Sequence, residues 1–274
     1  PVVNWIGDQA THHRSLDAPL TSDIAALTDS VGWTRTVKSA HEIAEASLAA
    51  VQAALGPPGG VASLIIPADC QWEPGPEPLS ITPSFAFTEP SNEAVQEAAR
   101  LLRNGQAGIF LGGNALSASG LHAAKRVSEA TGSRVWIETF PSCQECGRHM
   151  PIFPTLPYFP EEACEALANV KGLVLAGARE PIAFFGYQGQ PSRFLPEGAA
   201  LHMLADPDKG VDAALALEAL AQELLAMLLA ELPLQREQLI KAFRAADWAT
   251  LRETAHKLRG SAAYCQVKDL EQAA

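Results

Sequence analysis

The chain of 274 residues (29.1 kDa) carries 47% hydrophobic and 19% charged side chains, enough apolar material for packed cores, so global disorder is excluded. Twenty Lys and Arg against 31 Asp and Glu leave a formal charge of −11, which excludes a generally basic nucleic-acid binder, because the average surface repels phosphate. The five cysteines, Cys70, Cys143, Cys146, Cys164 and Cys265, are odd in number and irregularly spaced, which argues against a disulfide framework and for a reducing, cytoplasmic setting.

In chain order, Val2–Ile6 reads as a buried strand. Thr21-Ser22-Asp23 caps a short helix to Thr28, and Thr34–Val37 is a second strand. Ser39 opens an Ala-rich helix to Leu55, which Gly56-Pro57-Pro58-Gly59-Gly60 ends sharply. Val61-Ala62-Ser63-Leu64-Ile65-Ile66 is an unbroken apolar run, the pattern of a parallel strand covered on both faces. Residues 73–90, with five prolines and no helical period, read as an extended linker. The alternation then resumes. A helix capped by Ser91 leads to the strand Gly108–Leu111, and a helix from about Ser119 to Thr131 leads to the strand Arg134–Glu138. Helix Glu161–Ala168 and strands Gly172–Ala176 and Ala200–Leu204 complete it. Strands separated by helices of this length predict an α/β fold of two doubly wound, Rossmann-like parallel-sheet units.

From about Leu215 onward no strand signal remains. The tail reads as an all-α segment with breaks near Pro233, Asp247-Trp248 and Val267. The expected divisions are therefore 1–72, the linker 73–90, 91–222 and 223–274. Leu224–Leu229, bracketed by Glu223 and Glu231, is the most lipid-like stretch and reads as too short to span a bilayer, so no membrane partner is expected. A chain that opens in a strand and stops after two helical turns reads as a fragment, or as a join of fragments near residue 222.

Several groups could carry chemistry. His12-His13 follows a strand end, where α/β proteins place active-site loops; the alternative is a solvated pair. Gly112-Gly113-Asn114 lies between a strand and a helix, where a phosphate could sit, although it is not GxGxxG. Cys143-x-x-Cys146 with His149 invites a zinc or redox reading, but no second ligand pair follows, and the thiols read as loop residues with no metal site expected. Asp69 reads as a turn former, and Arg179–Pro181 is a candidate by position alone.

Gly7-Asp8-Gln9-Ala10-Thr11-His12-His13, Asp17-Ala18-Pro19-Leu20-Thr21-Ser22-Asp23-Ile24 and Leu64-Ile65-Ile66-Pro67-Ala68-Asp69 come first among a set of ordered stretches. Gly112-Gly113-Asn114-Ala115-Leu116, Phe184-Phe185-Gly186-Tyr187 and Pro191-Ser192 follow. Together they resemble the thiamine-diphosphate (ThDP) enzymes of the acetolactate-synthase-like group over residues 1 to about 220. The resemblance implies the end of a pyrimidine-binding domain, then a central domain. It puts His12 and His13 near the reactive end of the cofactor and Gly112, Gly113 and Asn114 at a place that in some relatives holds FAD or an ADP-like group. For the whole enzyme it implies ThDP with Mg²⁺, a 2-oxo acid substrate, and a homodimer or tetramer. It also implies that the catalytic glutamate lies upstream and that the diphosphate-binding domain is absent, so the fragment alone is expected to be inactive.

The second resemblance rests on Ala255-His256-Lys257-Leu258-Arg259-Gly260-Ser261-Ala262-Ala263-Tyr264-Cys265. On a helix, Leu251, Ala255, Leu258, Ala262 and Cys265 share one face and His256 projects about 140° away from it, with Gly260 one turn further on. This stretch resembles a histidine phosphotransfer (HPt) domain. The resemblance implies a phospho-acceptor at His256, clearance for a receiver domain at Gly260, and flanking cations in Lys257 and Arg259. Gln266 stands where that family usually has glycine.

Overall fold

The computed structural model describes residues 1–79, 85–103 and 105–264, the side chains of 257–264 excepted. The chain divides into two compact units, Pro1–Phe87 and Thr88–Ala274.

Unit 1 is a three-stranded parallel sheet of order β1-β3-β2, built from β1 (Val2–Asp8), β2 (Gly32–Thr36) and β3 (Val61–Pro67). Between β1 and β2 runs α1 (Ile24–Asp29), whose first turn is capped by the Asp23 carboxylate accepting from the Ala26 N–H at 3.1 Å. Between β2 and β3 runs α2 (Ile43–Leu55). The alanines of α2 that turn inward, Ala46, Ala50 and Ala54, are buried against Ala62 and Leu64 of β3. Small side chains allow helix and sheet to approach closely, which explains the alanine richness. The unbroken apolar run proves to be the central strand. β1 is not a buried strand but an edge strand: Val2 and Trp5 are 51% and 55% exposed. Its apolar residues look like core in sequence, yet only one of its edges is paired.

Unit 2 carries a four-stranded parallel sheet of order β5-β4-β6-β7: β4 (Ala107–Leu111), β5 (Val135–Ile137), β6 (Gly172–Ala176) and β7 (Ala200–Ala205). Three helices precede or cross between these strands. α3 (Asn92–Leu102), capped by Ser91 Oγ accepting from the Ala94 N–H at 3.1 Å, enters the sheet, and α4 (Ala118–Thr131) links β4 to β5. α5 (Pro160–Leu167) links β5 to β6 on the opposite face. β4 and β6 are buried along their whole length, with Ile109, Leu111, Val174 and Ala176 facing α3 and α4, and Phe110, Leu173 and Leu175 facing α5. The chain winds one way from β4 and returns the other way, so β4 and β6 meet at the reversal point.

The tail is two helices, α6 (Ala213–Arg244) and α7 (Trp248–Tyr264). α6 is unbroken through residue 222 and through Pro233, contrary to the expected break there. Pro233 costs one backbone hydrogen bond, but it is exposed, so water can serve the freed carbonyl. The apolar run is also longer than Leu224–Leu229. Within α6, an 18-residue window of mean hydropathy 1.7 is long and apolar enough to cross a membrane by composition, and 33% of it is buried inside the protein. Its N-terminal half supplies Ala213, Ala216, Leu217, Leu220 and Leu224 to the core beside α4. The break near Asp247 is real: Ala246 turns at φ +49°, and the Asp247 carboxylate accepts from the Thr250 N–H at 3.1 Å to start α7. The expected break near Val267 lies outside the described residues.

Candidate functional site

In unit 1 the carboxyl ends of β1 and β3 lie side by side, and the loops leaving them are tied together. Asp69 accepts from the Thr11 N–H at 3.0 Å and from the Thr11 hydroxyl. These bonds hold its carboxyl below the ordinary carboxylate range, with a smaller push from the His12 charge. Asp69 is therefore more than a turn former: it clasps the residue before the histidine pair. Asp8, nearly fully buried, pairs with Arg14 Nε at 3.3 Å and accepts from the Gln9 N–H at 2.7 Å. His12 is exposed beside Trp72, ring centroids 6.3 Å apart, and His13 is half-buried at the start of a 3-10 turn, Arg14–Leu16. The loop thus presents one accessible imidazole and one partly enclosed.

In unit 2 the reversal point lies at the carboxyl ends of β4 and β6, the position where doubly wound sheets bind ligands. Gly113 (φ +51°) and Gly177 (φ +67°) cross there backbone to backbone, so close that a Cβ on Gly113 would stand 3.1 Å from the Gly177 carbonyl oxygen. The structure puts a third partner beside them that sequence reading passed over. Glu138, at the end of β5, accepts from the Gly113 N–H at 3.3 Å. Burial holds its carboxyl above the ordinary range, opposed by that N–H and by Arg179. The signal was present, an acidic residue directly after the apolar strand VWI, but only the fold shows that it meets the glycine turn.

Asn114 faces elsewhere. Its amide donates to the Asp212 carboxylate at 2.8 Å, and its carbonyl oxygen accepts from the Ala213 N–H at 3.0 Å, so it completes the N-terminal cap of α6. A phosphate at Gly113 would meet the Glu138 carboxylate already on that N–H. Arg179, exposed, is held by a two-point pair to Asp208.

Cys143 and Cys146 are exposed and form no disulfide, the Cys146 thiol donating to the Gln144 carbonyl at 3.6 Å, and among the described residues no group of three or more His, Cys, Asp or Glu is placed to hold a metal ion. Between the two thiols, Glu145 docks on the start of α4. Its carboxylate accepts from the Ala118 N–H at 2.8 Å, and its N–H donates to the Leu116 carbonyl at 3.0 Å.

On α7, Thr254 is buried, Leu251 and Ala255 are half-buried, and His256 is exposed. α7 packs on α6 and on α4, so the central sheet unit covers part of its apolar stripe. Lys257, Arg259 and Gly260 lie on the same helix, but their side chains, like Cys265 and Gln266, lie outside the described residues. Near the end of α6, Glu237, Ile240, Lys241 and Arg244 line an open groove of about 570 Å³.

The fold of the two sheets is that of ThDP-dependent decarboxylases. It matches the thiamine diphosphate-dependent 4-hydroxybenzoylformate decarboxylase of Rhodococcus jostii RHA1 (TM-score 0.62, 22% identity, 82% of this chain and 45% of that one). It also matches the benzoylformate decarboxylase of Polynucleobacter necessarius (TM-score 0.61, 19% identity, 80% and 44%). In sequence the chain is 42% identical over 228 residues to a Mycobacterium tuberculosis protein that carries the name acetolactate synthase large subunit IlvX. That match covers 81% of this chain and 42% of that protein. Residues 223–274 match the family model of the Hpt domain. The α/β portion is thus similar to an acetolactate-synthase-like protein, this chain spanning under half the length of these relatives, and the C-terminal residues match the Hpt model.

Proposed function

We propose that residues 1–72 and 91–222 are the pyrimidine-side and central segments of a ThDP-dependent enzyme acting on 2-oxo acids, joined by the linker 73–90, and that this portion does not catalyse by itself. The observation that carries the reading is the 42% identity over 228 residues, which covers 81% of this chain. ThDP supplies a carbanion that attacks an oxo carbon when the cofactor is bound. Its diphosphate needs a Mg²⁺ clamp, and the described residues bring no suitable cluster of carboxylates together. This chain's own part is to hold the loop Thr11–His13 through Asp69, so that His12 and His13 flank the substrate end of a site completed by other segments. That reading carries with it a cytoplasmic homodimer or tetramer for the whole enzyme.

The test is thermal unfolding of the 274-residue chain with ThDP and Mg²⁺, beside an assay of CO₂ release from a 2-oxo acid. A small or absent rise in Tm with no CO₂ is expected; turnover by this chain alone would refute the reading.

A second reading rests on a separate observation, the exposed His256 within the Hpt match. There His256 accepts a phosphoryl group from a receiver domain, with Lys257 and Arg259 steadying it and Gly260 leaving room. Incubation with a phosphorylated receiver should label the wild-type chain and not His256→Gln; equal labelling removes the role.

A further inference from the structure

We propose that Cys143 and Cys146 are a reversible thiol–disulfide pair, and that closing the disulfide draws Glu145 off the start of α4. Both thiols are exposed on the long connection between β5 and α5. No group of three or more metal-ligating side chains forms among the described residues, so the chemistry open to the two thiols is exchange with a disulfide. The residue between them is pinned at two points. The Glu145 carboxylate accepts from the Ala118 N–H at 2.8 Å, in the first turn of α4, and the Glu145 N–H donates to the Leu116 carbonyl at 3.0 Å. The carboxylate thus stands at the positive end of a 14-residue helix, where a negative charge is favoured. The loop is strapped to α4 just beyond the Gly113 turn.

The strap and the disulfide need different backbones. Residues 143–147 run without a turn or a bend, and such a path sets the first and fourth Cα of a stretch roughly 8–10 Å apart. A disulfide needs about 4.4–6.8 Å. To close it, the chain has to fold through Gln144 and Glu145, and Glu145 is the pinned residue. Closure therefore exchanges two hydrogen bonds to α4 for one S–S bond, and it also ends the contact of the Cys146 thiol with the Gln144 carbonyl. The oxidant is a small-molecule disulfide of the glutathione class. One cysteine, as its thiolate, attacks a sulfur of that disulfide, and a glutathione thiolate leaves. The second cysteine gives up its proton, attacks the protein sulfur of the mixed disulfide and expels the other glutathione thiolate. The protein loses two electrons and two protons, and the small disulfide becomes two thiols. Because the strap opposes closure, the bond is easily reduced, so a reducing setting keeps the strap fastened and oxidation releases it. Release frees the Ala118 N–H and the Leu116 carbonyl, next to the carboxyl end of β4.

The test equilibrates the 274-residue chain with mixtures of glutathione and glutathione disulfide, blocks free thiols and maps tryptic peptides without reduction. Residues 135–148 form one such peptide and hold both cysteines. It should appear lighter by two hydrogens as the disulfide share rises, and regain them with dithiothreitol. Hydrogen exchange at the Ala118 and Glu145 amides should quicken about tenfold or more in the oxidised chain. Glu145→Ala, which removes the carboxylate from α4, should oxidise in more reducing mixtures, by about fivefold or more in the thiol–disulfide ratio. Cys143→Ser should stop at a glutathione adduct on Cys146, with exchange at Ala118 unchanged. A wild-type chain that gives only mixed adducts or links between chains overturns the proposal. So does an internal disulfide that leaves exchange at both amides as it was. Should Glu145→Ala lose its fold by circular dichroism, the wild-type mapping and exchange decide alone.

Discussion

The two sheets follow the same winding rule and bury very different amounts of themselves. In unit 2, β4 and β6 are covered by helices on both faces and flanked by strands on both edges, and no residue of either is even half-exposed. In unit 1 only β3 is flanked on both sides; β1 and β2 are edges, and Trp5 stands 55% exposed on the outermost strand. An apolar strand sequence therefore reports how a strand could be buried, while its rank in the sheet decides whether it is.

That contrast makes its sharpest prediction in the core. Leu111, fully buried in β4, should lose about 3–4 kcal/mol on truncation to Ala, because the covered sheet cannot collapse around the void. Trp5→Ala, although it deletes a far larger side chain, should cost less, about 1–2 kcal/mol, since about half of the residue is already in water. Urea denaturation of the two variants compares them directly. Equal losses would mean that β1 is covered in solution and that the edge reading of unit 1 is wrong.

A smaller loss is expected at the reversal point of unit 2. Gly177 has φ +67°, and a Cβ there would run into the Gly112 carbonyl oxygen. Gly177→Ala should cost about 2–3 kcal/mol from strained backbone and displaced turn. Gly105→Ala, also at positive φ (+66°) but with open space around it, should cost about 1 kcal/mol. The difference between these two variants in chemical denaturation isolates the crossing of the glycine turns from the conformational penalty alone.

The order of strands and helices was legible because most elements carry their own local signal: Asp23 and Ser91 as caps, the apolar run before Pro67, and Gly56 closing α2. Pro233 misled because proline penalises a helix without forbidding it: α6 absorbs the cost of one lost hydrogen bond and the ring clash. The candidate sites were legible as loops and not as partnerships. Thr11 and Asp69 are 58 residues apart, and Asn114 and Asp212 are 98 apart. No spacing in the sequence announces that such residues meet; only the parallel register that aligns neighbouring strand ends brings them together. Asn114 shows the cost of reading position without partner. Its place after Gly113 suggests a phosphate contact, whereas its side chain caps a helix that begins a hundred residues later.

Glu138 carries the smallest and most discriminating expected effect. Burial raises its folded-state pKa above the unfolded value, while the Gly113 N–H and Arg179 act the other way and only partly offset it. An acid with a raised folded pKa binds its proton more tightly in the native state. Its carboxyl is therefore harmless to stability below the unfolded pKa, becomes a cost as pH rises through the window between the two values, and remains a cost above the folded one. Glu138→Gln keeps an oxygen for the Gly113 N–H and removes the charge. The variant should match the wild type in acid and be modestly more stable at neutral pH, with the gap opening as pH climbs out of the carboxylate range. Paired thermal melts across pH 4 to 8 would show it. A glutamine variant less stable at neutral pH would mean that the attraction of Arg179 outweighs burial, and that this carboxylate, unlike the Asp69 that clasps Thr11 in unit 1, is held in place by charge.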